Sequence, residues 1–246
     1  MKFFASFAAM VCFLTVLSCG GRPEPTSTDG GIVTPQHITG DSLLYGLACD
    51  GSNDTILVLL RNIQGNPDTF QILEATRQRQ VFGHPKVGDG VALLVDSDSV
   101  VARMVVDLDQ LTDSWCYKVR PTLRQRAGIS EQMSQQFMRQ LPDSVRDSLF
   151  APREYGFKLK NDGSARAFGM HRSQEDEGPT VYPRLKHYGQ WCLNNGLLVL
   201  METQLDSTGS VRVTSCDTAR FVLMRRDTLV LQFADETKGF YRKVED

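Results

Sequence analysis

The chain has no HExxH, no GxSxG and no phosphate-binding glycine loop, the spacings that announce zinc hydrolases, serine hydrolases and nucleotide-binding enzymes. Its four histidines, His37, His84, His171 and His187, are scattered. None stands at the i+2 to i+4 spacing that puts two imidazoles on one face of a helix or strand. Its six cysteines include no CxxC pair, which removes the usual redox and zinc-ribbon readings. Carboxylates are common, yet no motif places two of them as a glycosidase-type pair. No catalytic residue, metal ligand or cofactor site can therefore be named, and a non-enzymatic chain is expected. Lys and Arg number 27 against 29 Asp and Glu, a formal net charge of −2, and neither half is strongly basic. The electrostatic footprint of a nucleic-acid binder is missing. Beyond residue 17 no apolar run is long enough to cross a bilayer as a helix.

What is present begins at the N-terminus. Met1 and Lys2 form a short basic head before an apolar run from Phe3 to Leu17, which has secretory-signal length and is too short to span. The run closes on Val16-Leu17-Ser18-Cys19-Gly20, which resembles the lipobox of bacterial lipoproteins, cut before the cysteine once its thiol carries a diacylglycerol. The resemblance implies a signal peptide over 1–18, a lipidated Cys19 and a membrane partnership through the lipid, in which each buried methylene contributes about 0.8 kcal/mol. Gly20 to Pro35 is rich in Gly, Pro, Thr and Ser and almost free of apolar residues, so 19–36 reads as a flexible tether. Gly20-Gly21-Arg22-Pro23-Glu24 stands where surface-exposed lipoproteins of related bacteria carry an acidic cluster. That favours a periplasm-facing position, with the outer membrane as the expected address. Cys12 leaves with the leader, so Cys49, Cys116, Cys192 and Cys216 are the candidates for disulfides. Four cysteines permit three pairings, and buried free thiols are the alternative.

Residues 37–110 are a succession of short β-like runs. Leu43–Ala48, Thr55–Leu60, Asp68–Leu73, Val91–Val95 and Val100–Val106 are expected as strands, with a helical turn through Arg77 to Val81. Five strands with that interruption after the third resemble an OB-like barrel. OB folds bind nucleic acid or sugars, but no basic groove or strand-borne aromatic platform is visible, which leaves a spacer or protein-contact role. Residues 121–150 change character. Ser130 is an expected N-cap, Met133, Phe137 and Leu141 share a helix face, Pro142 stops that helix, and Asp143 caps a second with Val145 and Leu149 inward. The plain reading is an amphipathic cover, and the alternative is a partner-docking helix.

Strand patterning resumes at Tyr155–Lys160 and Ser164–Met170. It continues through His187–Leu193, Leu197–Gln204, Val211–Cys216, Ala219–Arg225, Thr228–Ala234 and Gly239–Val244, with turns at Asn161-Asp162-Gly163, Asn194-Asn195-Gly196 and Arg226-Asp227. Eight strands at hairpin spacing predict an up-and-down antiparallel barrel, since closure removes exposed edges. Gly156-Phe157-Lys158-Leu159-Lys160-Asn161-Asp162-Gly163-Ser164-Ala165 resembles the opening of the lipocalin-like lipoproteins of Bacteroidetes. Tyr188-Gly189-Gln190-Trp191 and the following hairpin to Leu200, and Phe221 to Leu231, are similar to that family's later hairpins. Leu111-Thr112-Asp113-Ser114-Trp115 is similar to a lipocalin first strand. The resemblance implies a lipocalin-like barrel over 111–246, with 121–150 inserted after its first strand. It also implies a small apolar ligand or an envelope protein as partner. An OB-like barrel beside a lipocalin-like one is similar to NlpE-type envelope-stress lipoproteins, which implies stress or metal sensing as the alternative. The domain order is reversed here and the CxxC is absent.

Trp115 and Trp191, then Phe157 and Tyr188, are the ligand-binding candidates. Each could equally fill the barrel, as could Phe168 and Phe221. His84 lies in a Phe-Gly-His-Pro turn, and Glu175-Asp176-Glu177 reads as a solvated loop rather than a cation site.

Overall fold

The computed structural model describes residues 41–96, 99–124, 131–169, 179–207 and 209–243. The expected signal peptide and tether, with Cys19, lie outside the described residues, as do Ser130, the Phe137 side chain and Glu175 to Glu177. The protein is mainly β, with two sheets and few helices.

The smaller sheet contains β1 (Leu43–Ala48), β2 (Ile56–Leu60), β3 (Asp68–Gln71), β4 (Val81–Phe82), β5 (Gly90–Val95) and β6 (Ala102–Asp107), with α1 (Leu73–Arg77) after β3. Its order is β3-β2-β1-β5-β6-β4. A parallel bridge between Gln71 and Val101 brings the two ends together, with Gln71 N–H donating to Val100 O over 2.7 Å. Setting the two-residue β4 aside, β1 pairs with the second and fourth strands, and the third meets the fifth. This is the closure of an OB-type Greek-key barrel. Alternating burial along β2 and the continuously apolar β5 supply the core: Leu57, Leu59, Phe70, Ile72, Val91, Leu93 and Val105. Two expectations are corrected. The helix begins at Leu73 instead of Arg77, so β3 ends at Gln71, and Val81-Phe82 is released from the helix to run as a sixth strand parallel to β6.

Asp107 ends β6 and caps α2 (Leu108–Leu111), its Oδ1 accepting from Gln110 N–H at 2.9 Å. The chain then enters the larger sheet. Its strands are β7 (Ser114–Val119), β9 (Arg153–Leu159), β10 (Ala165–Gly169), β12 (Tyr188–Asn194), β13 (Leu197–Leu205), β14 (Val211–Arg225), β15 (Thr228–Gln232) and β16 (Thr237–Arg242). Between β7 and β12 lie the two-stranded pair β8 (Thr122–Leu123) and β11 (Thr180–Val181), and the helices α3 (Glu131–Gln140) and α4 (Asp143–Leu149). The order β10-β9-β7-β16-β15-β14-β13-β12 is antiparallel throughout, and the last strand returns to the first through Tyr241 beside Cys116. The two end strands meet at a Ser164–Gln190 bridge, so the sheet is a nearly closed up-and-down barrel. Asn195 and Gly196, at φ 48° and 81°, make the β12–β13 turn that the Asn-Gly pair predicts.

Val211–Cys216 and Ala219–Arg225, expected as two strands, form the single fifteen-residue β14. Asp217, which looks like a turn residue, is drawn toward the barrel mouth by Lys186 and Tyr188. The eighth strand is β7. The helical insertion sits where expected, but its packing does not. Pro142 itself occupies the N-cap of α4, Asp143 is the first helical residue, and α4 buries nothing. Met133 and Val145 are exposed, so Val145 does not point inward.

A Cβ placed on Gly156 would lie 2.3 Å from the backbone oxygen of Trp115 and 2.6 Å from the Phe168 ring. The β7 backbone cannot retreat without breaking its ladder. Gly156→Ala is therefore expected to cost about 1–3 kcal/mol, readable as a lower urea midpoint at unchanged slope; an unchanged midpoint would show that β7 and β9 are not this close.

The two sheets share one apolar cluster. Phe82, Met104 and Val106 of the smaller sheet pack with Leu111, Trp115, Trp191, Phe221 and Met224. Phe82 and Phe221 approach to 5.2 Å between ring centroids, and Gly83 N–H donates to Met224 O at 3.2 Å. The smaller sheet thus backs one end of the barrel.

Candidate functional site

The barrel interior differs at its two ends. At the end backed by the smaller sheet, Trp115 and Trp191 are fully buried. Their indole N–H groups donate to Leu111 O at 2.9 Å and Lys160 O at 2.8 Å. Arg242 lies 5.3 Å over the Trp115 ring and is held there by Asp113 at 2.8 Å and Gln110 O at 3.1 Å. These two ligand candidates are filling, with every polar atom satisfied inside the protein.

At the other end a cavity of about 770 Å³ opens. Phe157 and Tyr188, the other two candidates, line it together with Tyr117 and Phe240, which sequence reasoning missed. The four rings meet edge to face, with centroids 5.3 Å apart for Tyr117–Phe240, 5.2 Å for Phe157–Phe240 and 6.0 Å for Phe157–Tyr188. That geometry makes a rigid aromatic floor. Tyr117 follows Trp115 by two residues on β7 and so shares its face, which was the available signal.

Three of the cations that line the mouth are paired. Lys186 Nζ donates to both oxygens of Asp217 at 2.8 and 2.7 Å, and Tyr188 Oη donates to Asp217 Oδ2 at 2.5 Å. Burial, reinforced by that hydrogen bond to Asp217, pushes the Tyr188 phenol far above its ordinary pKa. Arg184 meets the buried Glu202 at 2.9 Å, and Ser215 Oγ donates to the same carboxylate at 3.0 Å. Lys238 pairs with Glu236 at 2.6 Å while lying 4.7 Å over the Tyr117 ring. Arg184, Lys186 and Lys238 are each neutralised, while the exposed Lys118 and Arg120, with Asp235, also line the opening. The aromatic floor beneath them accepts a neutral, largely apolar molecule without stranding an ion.

The disulfide candidates are all free thiols. Cys116 and Cys192 are buried in separate parts of the barrel wall, and burial raises both thiols to about 11, which leaves them unreactive at neutral pH. Cys49 is half-buried and Cys216 exposed. Among the described residues no three His, Cys, Asp or Glu side chains assemble as a metal-holding group.

Away from the mouth, Asp107 is fully buried, and its Oδ2 has no partner. Burial pushes its carboxyl up to about 6 against the stabilising N–H groups of Gln110 and His84. The folded state then binds this proton more tightly than the unfolded state does. The associated stability is present below about pH 4 and is lost as pH rises through 6. Asp107→Asn keeps the cap acceptor, so it is expected to flatten that slope and to be more stable than the parent at pH 7 by about 2–3 kcal/mol. Urea unfolding of both proteins at pH 4.5 and pH 7 measures it; equal pH slopes would contradict the assignment.

No protein-family model, no curated protein and no solved structure matches this chain.

Proposed function

We propose that this protein is a lipid-anchored cell-envelope lipoprotein, held through Cys19 on the periplasmic side of the outer membrane. Its barrel takes up a small apolar ligand and performs no chemistry on it. The observation that carries the reading is the contrast between the two barrel ends. One is packed solid around Trp115 and Trp191; the other holds a cavity of about 770 Å³ over four aromatic rings. A volume in this range suits a ligand of drug-like size, and the aromatic surface supplies the affinity while Tyr188, Asp217 and Lys186 orient a polar end.

Two measurements test the halves of the proposal separately. Native mass spectrometry of the protein extracted from its own envelope should show a bound molecule of a few hundred daltons that dissociates on collisional activation; repeated preparations at the bare protein mass would count against ligand carriage. Mass spectrometry of the N-terminal peptide should find it acylated and beginning at Cys19, and Cys19→Ala should leave it unacylated and still joined to residues 1–18. A variant still cut before residue 19, or a parent without acyl mass, would overturn the anchor.

A further inference from the structure

A second cavity, of about 820 Å³, lies at the seam between the two sheets, remote from the barrel mouth. Its apolar wall is built by Leu57 and Phe82, and its polar lining carries Arg79, His84 and Arg225 with one carboxylate, Asp54. At the mouth Arg184, Lys186 and Lys238 are matched by carboxylates; here, among the described residues, the side chains of Arg79, His84 and Arg225 have no ion-pair or hydrogen-bond partner.

The backbone under Arg79 gives an independent reason to look for a ligand. Arg79 stands just past the end of α1 at φ 58°, in the left-handed region. Gln80 N–H donates to Ala75 O at 2.7 Å and Arg79 N–H to Thr76 O at 3.1 Å, the paired bonds of a Schellman ending. Glycine is the residue that this position favours, since any Cβ is strained there. An arginine stands where the fold itself favours glycine, and it lines the cleft.

The walls are pinned before any ligand arrives. Thr76 Oγ1 donates to Asp54 O at 2.9 Å, fixing the β1–β2 loop to α1. Gly83 N–H holds Met224 O, and Gln110 Nε2 holds His84 O at 3.1 Å. Gly83 itself has φ 93° and no room for a side chain, because a Cβ would meet that of Asp107 at 2.5 Å. The site is therefore preformed, with Arg79 and His84 coming from the smaller sheet's side and Arg225 from β14.

We propose that this seam cleft binds a phosphate-type oxyanion carried on a small, partly apolar ligand, with Arg79 and Arg225 gripping the oxygens and His84 completing the cradle. Guanidinium groups match such oxyanions in charge and in donor geometry. The proposal does not depend on the barrel-mouth reading.

The test uses the mature chain carrying Cys19→Ala, with inorganic pyrophosphate as probe, followed by calorimetry and by the His84 ring-proton shift. Saturable binding is expected, weakened about tenfold or more by either Arg79→Gly or Arg225→Gln. Arg79→Gly should leave the melting temperature unchanged or raise it, which separates lost binding from lost folding. Flotation with phosphatidic acid vesicles against phosphatidylcholine vesicles then identifies the source. Binding to the former that both variants abolish points to a lipid headgroup; binding to pyrophosphate alone points to a soluble phosphorylated ligand. Absence of saturable pyrophosphate binding, or equal affinity in parent and variants, overturns the proposal.

Discussion

Trp191→Ala should destabilise the protein by about 3–5 kcal/mol, the range for truncating a fully buried tryptophan. The ring has no solvent exposure, and it packs in the cluster that joins Leu193, Leu200 and Phe221 to the smaller sheet. Truncation opens a void in that cluster, which its paired neighbours can close only in part. It also removes the indole N–H that donates to Lys160 O at 2.8 Å, a carbonyl that keeps its bond from Gly163 N–H at 3.1 Å. Trp115→Ala should cost a similar amount and additionally release Arg242, whose Nε is already without a partner and whose guanidinium rests on that ring. Whole-domain stabilities run about 5–15 kcal/mol, so either change would remove a large share. Urea unfolding followed by circular dichroism measures the loss. A cost below about 1 kcal/mol would mean that the tryptophans face a compliant cavity rather than a packed plug.

Ala234→Trp should cut the affinity for a neutral apolar probe such as N-phenyl-1-naphthylamine about tenfold or more while leaving stability within about 0.5 kcal/mol. Ala234 lines the mouth cavity from the loop between β15 and β16 and is itself exposed, so an indole there can fold over the opening without entering the core. It occupies volume that the probe needs, and tenfold corresponds to only about 1.4 kcal/mol of lost contact. Unchanged affinity would place the probe elsewhere. The seam cleft is the evident alternative, and Arg225→Gln would then be the variant that responds.

Much of this architecture was readable before any coordinates. The burial of Phe70 and Ile72 between exposed neighbours follows from the polar–apolar alternation of Asp68 to Leu73, and Asn195-Gly196 dictates a hairpin wherever it falls between apolar runs. The order of the barrel follows because neighbouring hairpins pair. What escaped was decided by contacts distant in sequence. Asp217 reads as a turn residue until Lys186 and Tyr188, about thirty residues earlier, hold it within a strand. Val145 shares a helical apolar stripe, but nothing arrives to cover it. The aromatic candidates show the same limit most clearly. Alternation says that Trp115 and Tyr117 both face inward, yet it cannot say that the first lies at the plugged end and the second at the open one. That distinction comes from the smaller sheet, which seals the Trp115 end through Leu111 and Phe82. The cation pairing that separates mouth from seam is equally invisible in a linear chain with a near-neutral charge.

The barrel is solid at one end and open at the other. The chain has only two tryptophans, so the two indole N–H resonances report on the plugged end, while the ring protons of Tyr117, Phe157, Tyr188 and Phe240 report on the open one. Titration with N-phenyl-1-naphthylamine, followed by NMR, should shift the four aromatic spin systems and leave both indole N–H signals in place. Movement of the indoles with the other rings unmoved would contradict it.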